Sequence, residues 1–158
     1  MKKELDDLLC ARYPAIFAER RASIAESCMP RGFSCGDGWF DLIDALCERL
    51  QFWTDHNGAP QVVARQVKEK FGELCFYASS TSDEQRGMIY MAAALSARVC
   101  EECGNAGKLM ENKRGWVLTR CPAHAPADAR TLVESGRDSL VIGPAGVKVV
   151  RTSGKDTP

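Results

Sequence analysis

The spacing of four residues constrains this chain more than any other feature. Cys100-Glu-Glu-Cys103 and Cys121-Pro-Ala-His124 are two ligand pairs with two residues inside each, and seventeen residues separate Cys103 from Cys121. Pairs of this kind place four soft or borderline ligands on one ion, the pattern of a zinc site. Gly104 follows the first pair directly, where a residue free of Cβ relieves the bend. Between the pairs, Lys108-Leu-Met and Gly115 to Arg120 alternate like two strands, joined by the polar turn Glu111-Asn-Lys-Arg114. The second pair falls where a helix is expected over Ala125–Val133, with Pro126 in its first turn. Knuckle, hairpin and ligands on a helix start make a treble-clef-like zinc finger. Its expected ligands are Cys100, Cys103, Cys121 and His124, holding one structural zinc, with iron the minor alternative.

Four protein ligands leave zinc no open position for water or substrate. Neither His56 nor His124 sits in the His-x-Glu arrangement of zinc deaminases. Phosphate-cradling loops and nucleophile elbows are missing, and Gly36-Asp-Gly38 reads as a turn and cap. No catalytic residue is assigned, and the expectation is a protein that is not an enzyme. An acid-based site on Asp37 or Asp41 remains the less favoured alternative.

The chain has 158 residues, 45% hydrophobic and 27% charged, the size and composition of one ordinary domain or a domain with a small module attached. Lysine plus arginine equals aspartate plus glutamate at 21 each, so no global basic field draws nucleic acid. Of eight cysteines, four lie outside the pairs and ahead of residue 60: Cys10, Cys28, Cys35 and Cys47; Cys75 follows. With no apolar export signal and no membrane-length stretch, the thiols are expected reduced. A second metal site built from Cys28 and Cys35 with Cys10 or His56 is an alternative to buried thiols.

The expected class is α+β: a helical N-terminal part with a β-hairpin over 1–98, the zinc module over 99–137, and a short hairpin with a loose tail over 138–158. Leu5, Leu8 and Leu9 open a helix that Pro14 interrupts, and Ala15 to Ile24 resumes a helical composition. Asp37 reads as the N-cap of an amphipathic helix carrying Trp39, Leu42, Ile43, Leu46, Leu50 and Trp53, ending near Asn57-Gly58. A hairpin pairs 61–70 with 73–78 about Phe71-Gly72, with Leu74 and Phe76 on one face. Ser82 and Gln85 make a capping box for a helix through Met88, Ala92 and Leu95. Leu140-Val-Ile and Val147-Lys-Val-Val form the terminal hairpin.

Three blocks together resemble a known group. They are Cys35-Gly-Asp-Gly-Trp39; Gln66-Val-Lys-Glu-Lys-Phe-Gly72 with Leu74 and Phe76-Tyr77; and Ser96-Ala-Arg with Cys100-Glu-Glu-Cys103-Gly104, Gly115-Trp116, Thr119 and Cys121. Over roughly 33–125 the chain resembles a family of small, uncharacterised bacteriophage and prophage proteins. It departs from that pattern at Glu73, where glycine is expected, and at Cys75, where a basic residue is more usual. The resemblance implies a phage setting, the cytoplasm of a bacterial host and a metal site, without a mechanism. The expectation is an accessory protein that binds a host protein, for instance to counter a defence system; the alternative is a nucleic-acid-binding finger. Candidate partner-binding residues are Lys113, Arg114, Trp116, Arg120, Lys68 and Lys70, with Lys108 beside them. No membrane contact is expected, and the sequence leaves the oligomeric state open.

Overall fold

A computed structural model describes residues 1–132 and the backbone of two later strands, 139–143 and 146–150. The elements are α1 (Lys3–Arg12), α2 (Phe40–Asn57), β1 (Val63–Lys70), β2 (Glu73–Ser79), α3 (Asp83–Ser96), β3 (Lys108–Glu111), β4 (Val117–Arg120), β5 (Arg130–Thr131), β6 (Ser139–Gly143) and β7 (Gly146–Val150). Three antiparallel sheets form, in the orders β1-β2, β4-β3-β5 and β6-β7. The α+β class and the terminal hairpin stand as expected. The tail from residue 151 lies outside the described residues.

α2 is the spine because its apolar residues recur at three and four and so share a face. Ile43, Leu46, Cys47 and Leu50 are buried on it, whereas Leu42 and Trp53 are only half-buried. Cys47 joins the core unforeseen; burial first, then Asp44, holds its thiol well above the usual range. Against this face lie Leu74 and Phe76 of β2, Val67 and Ala64 of β1, and Leu9, Ile16 and Met29 from the N-terminal part. Strand alternation works as the sequence implies: Leu74 and Phe76 point inward, and Tyr77 points to solvent.

α3 starts where the sequence places it. Ser82 Oγ accepts the Gln85 N–H at 3.3 Å, and Gln85 Oε1 accepts the Ser82 N–H at 3.0 Å. Gln85 is wholly buried and also donates to Thr54 Oγ1 (3.0 Å) and the Pro60 carbonyl (3.1 Å), tying α3 to the end of α2. Ser96, not Leu95, turns inward; its Oγ accepts the Leu74 N–H at 2.7 Å.

Three expectations need correcting. Ala15 to Ile24 does not resume a helix; it holds a single 3-10 turn, Ala18–Arg21. Backbone demand elsewhere competes with a helix here: the Ile16 carbonyl accepts the Ala64 N–H of β1 (2.8 Å), and the chain that follows stays along β1, with Cys28 N–H on the Arg65 carbonyl and Ser34 N–H on the Val67 carbonyl, both at 3.0 Å. Asp37 does not cap α2. It begins a 3-10 turn, Asp37–Trp39, and its carboxylate instead accepts the Lys2 N–H at 2.7 Å. Finally, among the described residues no helix follows His124: residues 125–132 make turns and the strand β5, whose Thr131 and Arg130 pair with Met110 and Glu111, and Val133 lies outside the described residues. Edge pairing on β3 satisfies this backbone in place of helix hydrogen bonds. No helix among the described residues is long and apolar enough to cross a membrane.

Candidate metal centre

The first ligand pair is shaped by its backbone. Gly104 N–H bonds the Cys100 carbonyl at 2.8 Å, Cys100 N–H bonds the Asn105 carbonyl at 2.7 Å, and Gly104 takes φ 76°. The second pair is one turn after β4, closed by His124 N–H on the Cys121 carbonyl at 3.0 Å. β3 and β4 bring the two turns together. The ligand atoms of Cys100, Cys103, Cys121 and His124 lie within 4.8 Å of one another. Cys103 Sγ is 3.7 Å from Cys121 Sγ, and His124 Nδ1 is 3.7 Å from Cys100 Sγ and 3.3 Å from Cys121 Sγ. These four residues could hold a metal ion, with Cys100 and Cys121 on the buried side and Cys103 and His124 on the exposed side.

Within the donor set the thiols diverge: the Asn105 backbone N–H works to lower the Cys103 thiol, but burial and the Cys121 and Cys100 side chains hold it above its usual range. Burial works to raise the Cys121 thiol, but hydrogen bonds with His124, Cys103 and Cys100 overcome it and bring it down to about 6. The core thiols go the other way. Burial pushes Cys35 up to about 12, and burial with Asp6 pushes Cys10 up to about 11. Cys10, Cys28, Cys35 and His56 do not gather; among the described residues the Cys100 set is the one metal-competent cluster. His56 is exposed at the end of α2, stacked on Phe52 with 4.3 Å between rings.

Gly36-Asp-Gly38 proves to be the seat of the knuckle. Gly38 N–H bonds the Glu101 carbonyl at 2.8 Å, and Gly36 N–H bonds Glu101 Oε1 at 2.8 Å. A Cβ on Gly36 would overlap the Glu101 carbonyl oxygen, and one on Gly38 would overlap that of Cys100. Trp39, wholly buried, donates its indole N–H to the Val99 carbonyl at 2.9 Å. A second seat lies at Gly72, whose carbonyl accepts the buried Thr119 hydroxyl at 2.7 Å and whose α-carbon faces Leu109 and Leu118 too closely for a side chain. The three blocks that stand apart in the sequence therefore meet around the ligand cluster.

The candidate contact residues divide. Arg120 is held in place: its guanidinium meets Glu101 Oε2 and Glu102 Oε1, both at 2.8 Å, and the side chain is 16% exposed. Lys113 and Arg114 are exposed at the β3–β4 turn, which Asn112 organises by accepting the Arg114 and Trp116 N–H groups at 2.9 and 3.0 Å. Trp116 is 70% exposed. Lys68 lies 5.5 Å over the Tyr77 ring, and Lys70 lies 5.4 Å over the Phe71 ring. Lys108 is exposed. Asp41 is exposed, and the Lys2 backbone N–H first of all holds the Asp37 carboxyl below its usual range. Neither acid faces the ligand cluster in a hydrogen-bonded arrangement with it.

Phe71 was not singled out by the sequence reading. It is 71% exposed and takes φ 54° in the two-residue turn between β1 and β2. Such turns need positive φ at both central residues, which Asn and Gly supply at little cost and an aromatic does not. The signal was present as Phe where Asn-Gly is the ordinary choice. Compared with family models, curated proteins and solved structures, the chain matches none.

Proposed function

We propose that this protein is a phage or prophage accessory factor whose structural zinc holds a surface that binds a host protein in the bacterial cytoplasm, of the kind that counters a defence system. Phe71 carries this reading. A large apolar side chain at positive φ, open to solvent, is costly for folding and useful for binding; strain of this type concentrates at functional surfaces. The Gly72 seat joins this turn to β4, so Phe71, Lys70 and Lys68 adjoin the hairpin that carries Lys113, Arg114 and Trp116. Trp and Arg, present here as Trp116 and Arg114, are among the residue types enriched in binding hot spots.

Zinc is the metal this reading assigns. A tetrahedral ion with zinc's bond lengths sets sulfur–sulfur edges of about 3.8 Å and sulfur–nitrogen edges of about 3.5 Å. Three of the six edges, at 3.7, 3.7 and 3.3 Å, support it. All four positions are then filled by protein, so the ion supplies shape, not a water nucleophile. The knuckle and hairpin support a treble-clef-like finger in which β5 replaces the final helix.

The second reading is single-strand nucleic-acid binding, favoured by the cations stacked on Phe71 and Tyr77. One variant separates these readings from a structural role. Phe71→Asn relieves the turn, so the thermal midpoint holds or rises. Tagged wild type recovers a host protein from bacterial lysate at near-equal stoichiometry, and the variant loses it at least about tenfold. No stoichiometric host protein with wild type, together with a steeply salt-dependent shift of labelled single strands, selects the second reading. Undiminished capture by Phe71→Asn overturns the role assigned to that turn.

A further inference from the structure

α3 carries a stripe that the fold leaves unused. Glu84, Gly87, Met91, Leu95 and Arg98 recur at three and four and so line one face, with Arg98 just past the last helical turn. Met91 is 61% and Leu95 45% exposed, and Glu84 and Arg98 are exposed charges without an ion pair among the described residues. The stripe borders an apolar groove of about 410 Å³ between α2 and α3, with Leu42 and Ala45 on the opposite wall. Gly87 lines this groove, and apart from its chain neighbours and its own helical turns no described atom lies within 4 Å of where its Cβ would be. Glycine inside an exposed helix costs stability, and here no intrachain contact requires it.

The order of residues along the stripe says what covers it. Read from Met91 outward, one turn each way brings Gly87 and Leu95, and the next brings Glu84 and Arg98. A hole matches a knob at equal distance, and an acid matches a base at equal distance. We infer that a second copy of this chain docks here, α3 crossing α3 antiparallel about a twofold axis at Met91. In that register the partner's Leu95 drops onto Gly87, the partner's Arg98 faces Glu84, and the two Met91 side chains meet on the axis. A twofold interface uses the same patch on both copies, which only a self-complementary patch can satisfy. Antiparallel helices also set opposite dipole ends together. With 21 basic and 21 acidic residues, no long-range charge repulsion opposes association.

The test is the mass of the full, metal-loaded chain by sedimentation and light scattering across its soluble concentration range. Wild type is expected as a dimer. Met91→Asp puts two carboxylates on the axis and gives monomer; Gly87→Leu fills the hole and does the same, with helix content retained. Glu84→Arg alone weakens the dimer at low salt by roughly tenfold, and adding Arg98→Glu restores it, because the swapped pair matches again. A monomeric wild type, a dimer indifferent to Met91→Asp and Gly87→Leu, or a swap that fails to restore each overturns the proposal. So does a monomer whose groove is filled by another protein. These outcomes are independent of Phe71 and of what that turn binds.

Discussion

The residues before 98 and those after it are held by different physics. The first part buries Trp39, Leu9, Ile16, Met29, Ile43, Leu50, Val62 and Val67 completely. Each such side chain contributes about 1.5–3 kcal/mol through loss of apolar surface. Beyond residue 98, the buried residues are Cys100, Glu101, Thr119 and Cys121 among those described, and not one is a large apolar side chain. A segment this short cannot enclose a core of its own, and such segments depend on a metal or on a host domain. This one has a ligand cluster that could hold a metal and a host domain to pack on. The ligand cluster gathers its two turns, and polar contacts at Gly36, Gly38 and Gly72 fasten it to the first part.

The largest test of that contrast is removal of the metal. Structural zinc sites are worth about 10–16 kcal/mol in small finger peptides at neutral pH, far more than any single contact here. Chelation or Cys103→Ser is expected to remove stoichiometric zinc, measured by elemental analysis. It should also abolish hydrogen-exchange protection across residues 99–132, while amides in α2 and β1 keep theirs. Full zinc retention in Cys103→Ser would sink the ligand assignment. Loss of protection in α2 as well would show that the first part has no independent stability, erasing the contrast.

Gly38→Ala probes the seam between the two parts. The new methyl must displace the Cys100 carbonyl, and overpacking of this order costs about 2 kcal/mol. The expected signature is a lower chemical-denaturation midpoint with weaker zinc retention against a competing chelator. An unchanged zinc affinity would mean that the knuckle keeps its shape without its seat.

Ser82→Ala should produce the smallest effect and keep it in the first part. Losing the cap of α3 costs about 1 kcal/mol. In a chain this long the thermal midpoint should fall by about 2–4 °C, read by circular dichroism. Zinc content should not change; if it did, α3 would be coupled to the ligand cluster more tightly than the Trp39–Val99 contact implies.

Much of this division could be read from the chain. α2, the β1–β2 pair, the α3 cap and the β3–β4 pair all follow from periodicity and capping chemistry, which act over a few residues. The cluster of four residues that could hold a metal was legible for the same reason, since a two-residue gap is itself the geometry of a metal-binding turn. The role of Gly36 and Gly38 was hidden because what forbids their side chains is the backbone of Cys100 and Glu101, distant in the sequence. Arg120 looked like a free surface cation because Glu101 and Glu102 come beside it only when β4 folds back on the knuckle. The region after Pro14 misled for a related cause. Its composition permits a helix, but β1 offers its edge to the backbone instead.

The sequence by itself determined the local pieces: two amphipathic helices, the capping box of α3, three hairpins, and four donor residues spaced so that they could hold one ion. Tertiary structure decided which glycines are seats, which thiols burial holds above their usual range, and which aromatic is held out to solvent at positive φ. The physical reason is range. Propensity, alternation and ligand spacing are set between neighbours, whereas close approach, burial and unpartnered surface exist only once distant segments meet.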